Sequence, residues 1–114
     1  MREILSTISV AEALRLATLV TPTEHGIASR VLAKASGGSL TLFAFDAGQE
    51  ISEHTSPFEA LALVLQGSLI LTVGGTPVQA TPGTIVRMPA EVPHAVMANE
   101  PTRLLLVMLR DVTT

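Results

Sequence analysis

Gly48-Gln49-Glu50-Ile51-Ser52-Glu53-His54, continuing through Thr55-Ser56-Pro57-Phe58-Glu59 to Gly67, is the stretch that decides the fold. A companion segment opens on Gly83, passes Pro89 and reaches His94. Each begins on a glycine, continues in extended-chain residues and delivers one histidine. Between them Gly74-Gly75 marks a hairpin, because glycine takes the positive φ of a tight two-residue turn without steric cost.

Working outward, the same alternation recurs along most of the chain. Strands are expected over residues 27–33, 39–46, 50–54, 60–66, 68–73, 76–80, 84–88, 94–98 and 103–110. Turn signals separate them every eight to twelve residues or so, the spacing of an all-β sandwich or barrel. Phe43 and Phe45 alternate with Ala44 and Asp46, so both rings share one face. Met88, Met97 and Met108 are expected in the core or in a pocket wall, where Met fills irregular gaps. Before the strands, Ser9-Val10-Ala11-Glu12 has the form of a capping box and good helix formers follow it. A short helix is expected over residues 9–18, with Pro22 beyond it.

Bulk properties narrow the class. At 114 residues the chain is expected to form a single domain over 1–114, with a helix and arm over about 1–25 and a barrel over about 27–110. A net charge of −3 without a basic cluster argues against nucleic acid or an anionic membrane as partner. No apolar stretch is long enough to span a bilayer and no secretory leader is visible. With no cysteine there is no disulfide or thiolate site, and the expected location is the cytoplasm. A mean hydropathy of +0.49 is high for so small an interior, so a homodimer that buries part of this surface is expected.

At Gly48, His54 and Gly67, and again at Gly83, Pro89 and His94, the chain resembles the cupins. These are small double-stranded β-helix (jelly-roll) barrels, and the likeness extends over about residues 31–109. In that family the first motif carries two histidines and a glutamate, the second a further histidine, and together they hold a divalent metal. This chain departs from the pattern. Ser56 stands at the second histidine position, Ala60 at the glutamate position, Glu91 at the second motif's internal glycine and Ala98 at its closing asparagine. Of the four ligands, His54 and His94 carry over.

The resemblance therefore implies a site reduced to two imidazoles. Glu59 lies one residue out of register, and a one-residue slip flips a strand side chain to the opposite face. A β-bulge beside Pro57-Phe58 would turn it inward and complete a two-histidine, one-carboxylate triad for iron, manganese, nickel or zinc. Ser56 shares parity with His54 and is expected to line the pocket beside both histidines. Glu53 has the opposite parity and is expected in solvent. His25 reads as a surface loop histidine, with a role as an extra ligand as its alternative. Arg87 and Arg103 could face an anionic ligand or lie at solvated strand positions.

Two functions stay open. One is a barrel that binds a small organic molecule through His54, Ser56 and His94. The other is a metal-dependent enzyme of dioxygenase, isomerase or decarboxylase type acting on a small organic acid or phenol. A third reading is a barrel whose chemistry has decayed and that serves in assembly. The lack of Trp and Tyr removes the stacking platforms that a sugar would favour.

Overall fold

Glycine, proline and β-branched residues divide the chain into ten strands and one 3-10 turn across residues 3–112, which the computed structural model describes. The strands are β1 (Leu5–Ser6), β2 (Ile27–Ala35), β3 (Gly38–Phe45), β4 (Glu50–His54), β5 (Glu59–Gln66), β6 (Leu69–Val73), β7 (Thr76–Ala80), β8 (Ile85–Met88), β9 (His94–Ala98) and β10 (Thr102–Leu109). All nine strands expected from the sequence are present. No helix among the described residues is long and apolar enough to cross a membrane.

Two sheets face each other as in a jelly roll, without closing into a continuous barrel. One has the order β1-β2-β3-β10-β5-β8, the other β4-β9-β6-β7, and every pairing is antiparallel. Strand alternation fills the space between them. Phe45, Ala62, Val64 and Leu104 come from the larger sheet, and Leu69, Leu71, Val96 and Ala98 from the smaller, into one buried cluster. Gly74-Gly75 turns β6 into β7 with both residues at positive φ, as the sequence predicts. At Gly67, also at positive φ, a Cβ would meet the Pro101 carbonyl oxygen and the Thr102 hydroxyl, so only glycine fits.

The outer face of the larger sheet has a core of its own. Leu32, Leu42, Ala44 and Leu105 point away from the barrel and are buried with Val20. Val20 belongs to the N-terminal segment, which lies across this face as an extended arm. Thr7 donates its backbone N–H to Leu32 O at 3.0 Å. The Arg30 guanidinium donates to the carbonyls of Thr7 at 3.1 Å and Leu19 at 3.3 Å, and Arg103 Nε donates to that of Val20 at 3.1 Å.

The expected helix over 9–18 is corrected by this arrangement. Only Leu16–Thr18 form a 3-10 turn, and Ala11 has φ +57°, which no right-handed helix tolerates. A short isolated helix has little stability in water, and its formation depends on burying an apolar face. Here the chain before the segment, Leu5 to Thr7, pairs with β2, and Leu19 and Val20 after it enter the outer cluster. The capping box at Ser9 and Glu12 was a local signal that tertiary contacts overrode.

Candidate functional site

β4 and β9 are neighbours in the smaller sheet, and each brings one histidine to a cavity between the sheets. On β9 the alternation is regular: His94, Val96 and Ala98 point inward and are buried. On β4 it is not. Ile51 pairs with Val96, and the next pairing is His54 with His94, so β4 spends three residues where β9 spends two. This bulge lets Ile51 and His54 both line the cavity although they stand three positions apart. A regular strand would have turned His54 outward.

The two imidazoles meet edge to face, with ring centroids 4.3 Å apart and an interplanar angle of 70°. Each is oriented by its own chain. His54 Nδ1 lies 2.9 Å from the carbonyl of Ser52, and His94 Nδ1 lies 3.1 Å from that of Val92. His94 is buried, at 6% exposure, while His54 is exposed at the mouth.

The cavity beyond them measures about 70 Å³. Phe43, Phe45, Ala62, Met88, Leu104 and Leu106 of the larger sheet line it, facing Ile51, Leu71 and Val96 of the smaller. The two phenylalanine rings share this face as their alternation requires, 6.2 Å apart. Met88 lines the cavity and Met108 packs against the same cluster, whereas Met97 is half-buried on the opposite face of β9.

The other candidates are not brought to the pair. Glu59 opens β5 on the outer side, where its carboxylate accepts from the Arg87 guanidinium on neighbouring β8. That partner holds the Glu59 carboxyl below its ordinary value and raises that of Arg87. The inward Glu59 needed for a triad is therefore corrected: the bulge of this region falls in β4, before Pro57, and leaves β5 in plain alternation from Glu59 to Val64.

Ser56 is corrected likewise. Strand β4 ends at His54, so parity does not carry past it. The Ser56 hydroxyl accepts the Phe58 N–H at 3.1 Å, closing the turn into β5. Glu53 is in solvent, as its position predicts. His25 is on the surface beside Glu24, its backbone N–H bound to Asp46 at 2.7 Å, a bond that lowers the Asp46 carboxyl below its ordinary value. Arg103 bonds Gln66 and the arm. Sequence reasoning missed the β4 bulge and the arm's two arginine contacts. Neither leaves a compositional signal, since both depend on pairing register.

The Cupin domain family model matches residues 41–108, more than half of the chain and all of the segment that carries both histidines. The chain belongs to the cupin family. Solved structures agree. A conserved protein of unknown function from Streptococcus pyogenes is 32% identical over 93% of each chain, with a TM-score of 0.87. A cupin superfamily protein from Desulfitobacterium hafniense is 27% identical over 94% of this chain and 98% of its own, also at 0.87. A Cupin 2 conserved barrel domain protein from Leptotrichia buccalis is 31% identical over 85% of this chain but 47% of its own, at 0.82. No curated protein matches the chain.

Cupins imply a metal centre, and the donors of this chain fit one poorly. Two imidazoles face one another, the candidate carboxylate Glu59 is engaged by Arg87, and no group of three or more His, Asp or Glu residues that could hold a metal ion occurs among the described residues. A resident catalytic metal needs about three protein ligands to be held firmly. What remains is an apolar cavity with one polar corner, the usual make-up of a small-molecule site.

Proposed function

We propose that this cupin binds a small organic molecule in the barrel, with His54 and His94 supplying its polar contacts. The observation that carries this reading is the edge-to-face histidine pair at one end of an otherwise hydrocarbon-lined cavity. Packing alone would favour an apolar residue at position 94 over an imidazole. The metal-dependent enzyme on a small organic acid or phenol is the second reading. It loses support with the outward Glu59, because two imidazoles hold iron, manganese, nickel or zinc weakly.

We also propose that the protein acts as a homodimer in the cytoplasm. Its accessible surface of 7010 Å² exceeds the roughly 6,000 Å² of a compact monomer of this mass. That excess is on the scale of the area one partner buries in an ordinary interface, about 800 Å². Ile4, Leu5 and Val10 on the arm, with Ile85 on β8, are large apolar residues left in water and support the same reading.

Metal content by plasma mass spectrometry, on purified untagged wild type and on His54→Ala and His94→Ala, tests the first proposal. Thermal shifts against a panel of small organic molecules complete it. The expected result is far less than one equivalent of metal and a ligand-induced rise in Tm that both variants lose. One equivalent of metal in the wild type, absent from both variants, would overturn it in favour of the enzyme.

A further inference from the structure

Among the described residues, the side chains that line the cavity offer it hydrogen-bond acceptors and no donors. Nδ1 of His54 and Nδ1 of His94 each face a backbone carbonyl oxygen, at 2.9 and 3.1 Å. A carbonyl oxygen only accepts, so each Nδ1 carries the hydrogen. In the neutral ring Nε2 is then a bare acceptor. Although His94 is buried, its Nε2 has no hydrogen bond to a described residue. No sealed side-chain nitrogen or oxygen among the described residues lacks a partner. Nε2 of His94 therefore opens onto space rather than onto packed hydrocarbon.

Nothing else in the wall changes this polarity. The remaining lining side chains are hydrocarbon, apart from the Met88 thioether, itself a weak acceptor. Among the described residues, no lysine, arginine, hydroxyl or amide side chain reaches the cavity. Outside the β4 bulge, backbone N–H groups lie in the plane of each sheet and run across the strands rather than into the space between the sheets.

We propose that the metal-free cavity selects a compact apolar molecule by a hydrogen-bond-donating head, a hydroxyl or N–H group, and rejects isosteres whose head only accepts. The proposal rests on the small-molecule reading above and narrows it. A ketone or carboxylate oxygen would lose its water and meet two lone pairs, with no donor to compensate. A hydroxyl would donate to one Nε2. Discrimination between a ligand that completes a buried hydrogen bond and one that cannot is large.

The test uses chelator-treated full-length protein at pH 8 with three probes built on one ring: cyclopentanol, its near-isostere cyclopentanone, and the larger cyclopentanecarboxylate. Binding is read by ligand-observed NMR and by protein shifts at the cavity. Long-range proton–nitrogen correlation reads the tautomer of each histidine independently of any ligand. Hydrogen on Nδ1 of both rings is expected, with cyclopentanol binding at least about tenfold more tightly than the other two. His54→Phe, which keeps a ring at the exposed position but removes an acceptor, is expected to narrow that ratio.

Equal binding of alcohol and ketone, or hydrogen on Nε2 of either ring, would overturn the donor rule and leave the pocket reading standing. Failure of all three probes to bind at the cavity would overturn the pocket reading and this inference with it.

Discussion

The two faces of the larger sheet are built from the same strands and end up different. On β3, Phe43 and Phe45 face the barrel while Leu42 and Ala44 face out. On β10, Leu104 and Leu106 face in while Leu105 and Val107 face out. The outer row is closed by the arm, and Leu42 is fully buried at 0% exposure. The inner row is left short of filled, with a cavity ending at two histidines. Alternation supplies apolar side chains to both faces equally. What distinguishes them is the cover: a segment of the same chain held by Arg30 and Arg103 on one side, a second sheet with a bulged strand on the other. The outer face should therefore govern stability and the inner face binding.

Truncating the outer core is the strongest way to break that contrast. Leu42→Ala should cost about 2–5 kcal/mol, because a buried leucine loses both its transfer energy and its packing. A urea midpoint lowered with unchanged slope would show it, and cyclopentanol affinity measured below the transition should persist. Releasing the arm is the next effect. Arg30→Met removes the donors to Thr7 and Leu19 and should cost about 1–3 kcal/mol. Hydrogen exchange should then quicken at Thr7, whose N–H is bound to Leu32 O. Protection unchanged there would mean the apolar contacts of Val20 hold the arm alone.

The histidines sharpen the contrast from the inside. His94→Ala removes a buried ring and should cost about 1–2 kcal/mol, whereas His54→Ala, at an exposed position, should stay within about 0.5 kcal/mol. Thermal melts of both variants would decide this. Large losses in both would assign the pair to stability rather than to binding. The smallest expected effect belongs to Arg87→Ala. With its partner gone, the Glu59 carboxyl should return toward the ordinary range, followed by NMR titration. The Glu59 carboxyl is depressed in the folded state, so the contribution of the ion pair is present above the unfolded value and is lost as pH falls through the folded one. The variant should lack that acid-side component and leave cavity binding untouched.

Much of the fold was legible because strand signals are local. The Gly74-Gly75 turn, the alternation around Phe43 and the pairing of Gly48 with His54 and Gly83 with His94 are short-range patterns, and every expected strand forms. The site was legible only in part. Both histidines reach the cavity, but Ser56, placed by counting parity from His54 across the end of β4, does not, and Glu59 does not because the bulge that would have turned it inward falls in β4 rather than beside Pro57-Phe58. The N-terminal helix failed for a different reason. Its capping box and helix formers describe what an isolated segment prefers, and the segment is not isolated.

The sequence by itself determined which stretches from residue 27 onward form strands, to within a residue or two at their ends, which residues can turn, and that two histidines stand at cupin motif positions. These follow from backbone sterics and side-chain alternation within a few residues. Only the tertiary structure decided which way the decisive side chains face. Register between β4 and β9 sets the bulge that turns His54 inward, the pairing of β5 with β8 gives Glu59 to Arg87, and burial against Leu42 draws the N-terminal segment out as an arm. Each outcome depends on contacts between residues far apart in the chain, where a shift of one residue in pairing reverses the face and no local signal records it.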